Sequence, residues 1–169
     1  GSNRFGMANQ AANLDGSSYF EVPYNTRLNS SALTFSLWAK WNGGSGFQSP
    51  ITSRTDGPSR GYILYKDTSN KWAVWTGTSG GSWAAKSSPD VASQSWQQIT
   101  ASFENGSLKL YLNGVSVVDS TISYVPNSTK PLRIGAGTTE SPSANWKFNG
   151  LIDDVRVFDR ILSPEQVSA

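Results

Sequence analysis

Aromatic residues that lie close to polar loops are the side chains in this sequence best suited to recognition chemistry. Trp72 and Trp75 fall on opposite faces of a predicted strand, so one is expected in the core and the other towards solvent. Tyr62 and Tyr65 are divided in the same way. An exposed aromatic ring can stack on the apolar C–H face of a pyranose, while polar neighbours bind its hydroxyl groups. These strands therefore offer a candidate sugar platform.

Two further tryptophans follow flexible polar segments. Trp83 comes directly after a Gly-Gly-Ser run, and Trp146 follows residues 141–145. Arginine and aspartate side chains flank the same strands and could hydrogen-bond to a ligand. The candidate ligand-binding residues are Trp83, Trp75, Trp146, Tyr65, Arg54, Asp56 and Arg60. The alternative is that most tryptophans fill a large core, and this interpretation is favoured for Trp38 and Trp96.

Carboxylates in this sequence do not form an obvious catalytic pair. Glycoside hydrolysis uses two carboxylates about 5–10 Å apart, on either side of the bond that is cleaved. Four glutamates are isolated in the sequence: Glu21, Glu104, Glu140 and Glu165. Asp153 and Asp154 are adjacent, and neighbouring strand residues are predicted to point to opposite faces. No enzyme activity is therefore predicted.

The composition excludes several classes of function. There is no His and no Cys, which excludes Ser-His triads, imidazole or thiolate metal sites and disulfides. The net charge is only +2 and the basic residues are scattered, so no nucleic-acid partner is predicted. No apolar run approaches the roughly 20 residues that cross a bilayer, so membrane insertion is not predicted.

A low content of charged residues, 15%, leaves a surface rich in Ser, Thr, Asn, Gln and Gly. This composition is typical of secreted modules that face polysaccharides. The chain is long enough for one domain with a substantial core. Gly1 and Ser2 are interpreted as a cloning scar, and residues 3–169 as a single domain, excised from a longer secreted or cell-surface bacterial protein.

Short segments with alternating polarity, separated by turn signals, indicate an all-β fold. Leu33–Trp41 alternates most clearly. Two Asn-Gly pairs predict a three-strand meander over residues 97–119, and Asp15-Gly16 predicts a hairpin. Ser163-Pro164-Glu165 predicts a short C-terminal helix. The predicted strands are Met7–Asn13, Tyr19–Val22, Leu33–Trp41, Ile51–Arg54, Gly61–Lys66, Lys71–Thr76, Ser82–Ala85, Gln97–Glu104, Ser107–Leu112, Val115–Asp119, Leu132–Gly135, Trp146–Phe148 and Gly150–Arg160.

Several of these segments resemble a known family. Residues 148–167 read Phe-x-Gly-x-Ile-Asp-Asp-Val-Arg-Val-Phe-Asp-Arg-x-Leu-Ser-x-Glu-x-Val, which resembles the C-terminal signature of laminin-G-like, concanavalin A-like jelly-roll domains. Leu108–Gly114 is similar to the Leu-Tyr-x-Asn-Gly hairpin of that group. Leu14–Val22 and Leu33–Lys40 are similar to its opening strands. The resemblance implies a jelly-roll sandwich of two antiparallel sheets, each of six or seven strands, one concave and one convex.

The resemblance also implies a structural calcium ion. Asp153 matches the aspartate at the start of the last strand that binds calcium in related glucanases. The family's other ligands are largely backbone carbonyls, which correspond here to the region of residues 11–13 and to the loop at Gly43. Asp15 could add a carboxylate. The alternative is that Asp153 accepts backbone N–H groups. Hydrolytic relatives carry Glu-x-Asp-x-x-Glu or a close variant on one strand, and this sequence does not.

Together these observations predict a non-catalytic carbohydrate-binding or adhesive module, monomeric within a longer chain and located outside the cell. Its predicted partner is a glycan, and its scaffold is expected to be stiffened by calcium. The alternative is a protein-binding or structural spacer domain of a surface adhesin. An exposed, preformed cluster of two or more aromatic rings would favour the sugar interpretation.

Overall fold

A computed structural model describes residues 1–168. Within these residues the chain forms twelve strands, a 3-10 helix at Thr26–Asn29 and a short α-helix. The strands are β1 (Ala12–Asp15), β2 (Phe20–Val22), β3 (Ala32–Trp41), β4 (Gln48–Thr55), β5 (Arg60–Lys66), β6 (Lys71–Gly77), β7 (Trp83–Val91), β8 (Gln97–Glu104), β9 (Ser107–Leu112), β10 (Val115–Ser120), β11 (Leu132–Ile134) and β12 (Asn149–Phe158), followed by α1 (Pro164–Ser168).

The strands form two antiparallel sheets of six. Sheet A has the order β1-β12-β3-β8-β9-β10, and sheet B has the order β2-β11-β4-β5-β6-β7. The two sheets pack face to face, which confirms the predicted jelly-roll sandwich. The predicted meander is also confirmed, because β8, β9 and β10 are consecutive neighbours in sheet A. No helix within residues 1–168 is both long enough and apolar enough to cross a membrane.

The core lies between the sheets and follows from strand alternation. On β3, every second residue from Leu33 to Trp41 is buried in one cluster, as the sequence pattern predicts. Sheet B contributes residues of β4, β5 and β6 to the same cluster. These include Ile51, Tyr62, Leu64, Trp72 and Val74. Since alternate residues point to opposite faces, the residues between them lie on the outer face of sheet B.

Two of the predicted strands are wrong. The first strand begins at Ala12 and not at Met7, because the side chain of Asn3 accepts hydrogen bonds from the amides of Phe5 and Met7 and holds this segment in turns. Residues 146–148 form only an isolated bridge between Ser49 and Lys147 and no strand.

The Asp15-Gly16 turn does not form the predicted hairpin. β1 pairs with β12 in sheet A, whereas β2 pairs with β11 in sheet B, so this turn carries the chain from one sheet to the other. The carboxylate of Asp15 accepts hydrogen bonds from both the amide and the hydroxyl of Ser17. That local turn replaces the cross-strand bonds of a hairpin. The C-terminal helix, in contrast, is confirmed, with Pro164 as its first residue.

Candidate functional site

Aromatic and charged side chains gather on the outer face of sheet B. Tyr65 and Trp75 alternate with core residues of β5 and β6, which places them on the outer side. Arg54 on β4 and Trp83 on β7 belong to the same face. Tyr62 and Trp72, on the other faces of the same two strands, are buried in the core. The predicted division of both aromatic pairs between two faces is therefore confirmed. The expectation that Tyr65 reaches solvent is wrong, because it is only 3% exposed beneath the neighbouring aromatic rings.

The aromatic rings form a continuous cluster around Tyr65. The centre of the Tyr65 ring lies 5.7 Å from that of Trp75 and 5.8 Å from that of Trp146, both in edge-to-face geometry. Phe47 lies 4.9 Å from Tyr65 and 5.8 Å from Trp75. Offset and edge-to-face contacts of this kind fix the relative orientation of rings. The cluster is therefore preformed.

A guanidinium group lies between the two outermost indoles. The Cζ atom of Arg54 is 5.1 Å from the ring centre of Trp83 and 5.4 Å from that of Trp146. Arg54 itself is 4% exposed, whereas Trp146 is 40% exposed and Trp83 is half-buried. Cation–π contact holds the inner parts of both rings. Their outer parts remain available to a ligand.

Two carboxylates hold the Arg54 guanidinium. Its Nε donates to Oε2 of Glu140 at 3.0 Å and its Nη2 to Oε1 at 2.5 Å, while Nη2 also donates to Oδ2 of Asp56 at 3.1 Å. Nη1 lies 3.5 Å from the hydroxyl of Tyr65. This arrangement satisfies most of the donors of a buried arginine, which burial alone would penalise.

The ion pair controls the ionisation of both partners. Burial, the largest single effect, acts to raise the pKa of Glu140, but hydrogen bonds and charge from Arg54 outweigh it and hold this pKa below its ordinary value. Burial likewise acts to lower the pKa of Arg54, and Glu140, Tyr65 and Asp56 together raise it. At neutral pH the pair is therefore fully charged.

Asp56 and Arg60 form hydrogen bonds that stabilise the turns at the edge of the cluster. Asp56 accepts hydrogen bonds from the hydroxyl of Ser59 at 2.9 Å and from the indole Nε1 of Trp83 at 3.3 Å. Arg60 does not reach into the cluster. Its Nη1 donates to the carbonyls of Ser59 and Thr78 at 2.8 and 2.7 Å, which ties the β4–β5 turn to the β6–β7 turn.

A loop between β11 and β12, residues 135–148, supplies Glu140 and Trp146. The hydroxyl of Thr139 accepts a hydrogen bond from the Arg54 amide at 2.8 Å and donates to the Arg54 carbonyl. The amide of Ser49 donates to the carbonyl of Trp146 at 2.9 Å. These bonds attach the loop to β4 in place of a regular strand, and so position both side chains over sheet B.

Six of the seven predicted ligand-binding residues thus meet on one face, and Arg60 lies at its rim. Sequence reasoning missed Glu140 and Phe47. Glu140 is separated from Arg54 by 86 residues, and an irregular loop brings the two side chains together. Such a loop has no periodic polarity pattern from which the contact could be predicted. Phe47 directly precedes a strand and is half-buried.

The prediction that Trp38 and Trp96 belong to the core is wrong. Both are half-buried and neither belongs to the core cluster. Trp38 lies on the outer face of sheet A, where the guanidinium of Arg4 is 5.0 Å from its ring centre. The core tryptophans are Trp41 and Trp72.

The two aspartates of β12 do not point to opposite faces as predicted. The register of β12 against β3 shifts between Asp153 and Arg156, and Asp154 adopts a left-handed φ of 51°. This bulge turns both carboxylates towards one guanidinium. Nη1 of Arg4 lies 3.3 Å from Asp153, and its Nη2 lies 3.7 Å from Asp154.

Two of the residues predicted to bind calcium, Asp15 and Gly43, lie beside Asn149, and the third, Asp153, lies further along β12. Asp15 pairs with Asn149 at the start of β12, whereas Asp153 is four residues further along that strand. The carbonyl of Gly43 accepts from the side chain of Gln48 at 3.1 Å. No group of three or more acidic, His or Cys side chains in residues 1–168 is arranged to hold a metal ion. The predicted ligands are largely backbone carbonyls, so the calcium ion and its ligands stay a prediction.

A family model for the concanavalin A-like lectin/glucanases superfamily matches residues 14–168. The chain belongs to this superfamily. The predicted resemblance is thereby confirmed. A comparison with curated proteins found no match.

Solved structures with the same jelly roll include carbohydrate-binding members. The CBM40 of the Ruminococcus gnavus IT-sialidase, bound to α2,3-sialyllactose, is 15% identical with a TM-score of 0.79, and the match covers 95% of each chain. Domain 4 of AbnA, a GH43 extracellular arabinanase from Geobacillus stearothermophilus, was solved with arabinotriose. It is 22% identical with a TM-score of 0.72, over 94% of this chain and 74% of that one. At these identities the likeness shows the fold.

The superfamily also includes glucanases, which raises the question of whether the two carboxylates at Arg54 could cleave a glycoside. Asp56 and Glu140 do converge, since both reach Nη2 of Arg54. Acid-catalysed glycoside cleavage needs one carboxyl group whose pKa is raised so that it carries a proton. The pKa of Glu140 is shifted in the opposite direction. Glu140, which Arg54 holds in its ionised form, is therefore suited to accept hydrogen bonds.

Proposed function

We propose that this chain is a non-catalytic carbohydrate-binding module and that its ligand site is the cluster on the outer face of sheet B. One observation carries the proposal: two indoles, Trp83 and Trp146, flank the buried Arg54 and remain partly exposed beside carboxylates. This is the combination of apolar faces and polar groups that pyranose and furanose rings require.

The site would bind a sugar by stacking and by hydrogen bonds. The exposed ring of Trp146 offers a stacking surface, and Trp83 borders the other side of Arg54. The oxygens of Asp56 and Glu140 that face solvent can accept hydrogen bonds from sugar hydroxyls. Arg54 already fixes both carboxylates by hydrogen bonds, and Tyr65 packs against the Trp146 indole. These side chains would therefore lose little conformational freedom when a sugar binds.

The structural neighbours support this proposal. The sialidase module was solved with sialyllactose, and the arabinanase domain with arabinotriose. Both are carbohydrate complexes of the same jelly roll. We further propose that the module works outside the cell as a monomeric unit within a longer protein, where tethering would compensate for weak binding at a single open site. A structural calcium ion is a separate proposal, supported only by the family resemblance of Asp153.

A glycan array tests the proposed function. The wild-type chain should bind a defined subset of glycans, and Trp146→Ala should lose at least about tenfold in affinity for them, as expected for an aromatic anchor. Trp38→Ala is the matched control, because Trp38 is a half-buried tryptophan on the other sheet and lies against the guanidinium of Arg4. Equal losses in both variants, or no glycan bound by the wild type at millimolar concentration, would contradict the proposal.

A further inference from the structure

Cationic groups at the aromatic cluster are already committed to internal partners. Arg54 is 4% exposed, and three of its N–H groups point at Glu140 and Asp56. Arg60 donates through Nη1 to two backbone carbonyls. The Arg54 guanidinium therefore presents no free fork to an incoming carboxylate, which is the geometry by which arginine binds acidic sugars. The Arg60 guanidinium is held at the rim of the cluster by its Nη1.

Around Arg54, in contrast, the carboxylates are the charged groups that reach solvent. The side chain of Asp56 is 49% exposed and that of Glu140 is 23% exposed, whereas the Arg54 side chain is 5% exposed. A ligand that lies across the two indoles would meet these oxygens first. An acidic sugar there would bring a like charge against them at close range, which is unfavourable.

Basic groups further along the outer face of sheet B do not offset the exposed carboxylates of the aromatic cluster. Arg133 is 4% exposed, and it donates to Glu21 at 2.8 Å and to the carbonyl of Thr138 at 2.7 Å. Lys147 lies 5.9 Å from the ring centre of Tyr19, on the side of β2, whereas Trp146 faces β4 and β5 through Arg54 and Tyr65. Both cations therefore belong to a neighbouring group of side chains and not to the aromatic cluster.

We infer that the site selects neutral glycans and discriminates against glycans that carry a carboxylate, such as sialosides and uronates. This inference rests on the proposed function. It separates this module from its sialyllactose-bound structural neighbour, although the two share a fold. The selecting element is the Glu140–Arg54–Asp56 group, in which the arginine is neutralised internally and the carboxylates face the ligand.

The inference also specifies how selectivity is to be changed. In Glu140→Gln, one negative charge is removed and two N–H groups of Arg54, on Nε and Nη2, lose their charged acceptor. The discrimination between a neutral glycan and its acidic counterpart should therefore shrink by at least about threefold. Glu21→Gln is the control, since Glu21 pairs with Arg133 and has no hydrogen bond to Arg54. It should leave the ratio within about twofold.

Calorimetry on matched glycans tests the inference. Oligosaccharides of equal length, with and without a uronate or sialate group, are titrated into the wild type and both variants. The wild type should favour the neutral member by at least about tenfold, and its affinity should vary less than about twofold between 20 and 500 mM NaCl. Preference for the acidic member, with a fall in affinity at high salt, would overturn the inference and leave the proposed function intact. Binding of neither class would overturn both.

Discussion

Arg54 and Glu140 are 86 residues apart in the sequence, yet two parallel hydrogen bonds join them, Nε to Oε2 at 3.0 Å and Nη2 to Oε1 at 2.5 Å. Arg54 belongs to a regular strand, whereas Glu140 belongs to an irregular loop. The pair therefore fixes the loop over sheet B, and with the loop it fixes the exposed indole of Trp146.

Removing the arginine should destabilise the fold. Arg54→Met leaves Glu140 and Asp56 without their shared cation, and an uncompensated, partly buried charge costs about 3 kcal/mol. Urea unfolding monitored by tryptophan fluorescence measures the loss. Arg27→Met is the control, because the Arg27–Asp159 pair is exposed and should contribute little. Similar midpoints for the two variants would show that the Arg54 pair does not hold the loop.

The same pair should give the protein a specific sensitivity to acid. Since the pKa of Glu140 is lower in the folded protein than its ordinary value of 4.5, the unfolded chain binds more protons as the pH falls below that value. The stability that Glu140 contributes is therefore fully present above pH 4.5 and is lost as the pH drops through the folded pKa. The melting temperature of the wild type should exceed that of Glu140→Gln at pH 7, and the difference should shrink towards pH 3.

A double-mutant cycle provides the control for this pH dependence. In an Arg54→Met background, the hydrogen bonds that depress the Glu140 pKa are absent. Burial then acts to raise the Glu140 pKa with less opposition, so the loss of melting temperature caused by Glu140→Gln at pH 7 should be smaller than in the wild-type background. A loss of the same size, with the same decrease towards pH 3, would assign the effect to a group other than Arg54.

A glycine within the β11–β12 loop should control the position of Trp146. A Cβ atom at Gly137 would lie 2.9 Å from Cε1 of Tyr65 and 3.0 Å from Cβ of Trp146. Gly137→Ala should therefore push the indole away from Tyr65, weaken glycan binding and reduce stability by about 1–3 kcal/mol. Gly80→Ala, where the nearest atom would be 3.8 Å away, is the control and should bind like the wild type. Equal binding by both variants would contradict the proposed position of the site.

The sequence was informative where side-chain alternation decides the structure. The buried face of β3 and the division of Trp72 from Trp75 follow directly from a period of two. The partners of β1 and β2 could not be predicted in this way. A turn such as Asp15-Gly16 is local, whereas the choice between a hairpin and a crossing to the other sheet depends on strands more than a hundred residues away.

The candidate site was predictable in its residue types but not in its connections. Indoles beside polar loops indicated a sugar platform, yet the partner of Arg54 came from a loop without periodicity. The bulge at Asp154 is a second example. A left-handed residue within a strand reverses the expected direction of a carboxylate, and adjacent aspartates gave no sign of it.

Calcium is tested most simply by thermal unfolding in calcium and in EDTA. The calcium hypothesis predicts a higher midpoint with calcium, and no such rise in Asp153→Asn. Magnesium is the control ion, since its stricter octahedral geometry suits backbone carbonyl sites poorly. An unchanged midpoint in the wild type would show that Arg4, 3.3 Å from Asp153, is the only cation this carboxylate needs.

The most direct test of the binding face is an NMR titration of the 15N-labelled protein, which resolves the indole N–H groups of its seven tryptophans. With a neutral oligosaccharide selected on the array, the indole signals of Trp83 and Trp146 should shift to saturation. Those of Trp38, on the other sheet, and Trp72, in the core, should stay in place. Saturable shifts at Trp38 with none at Trp83 or Trp146 would contradict the account.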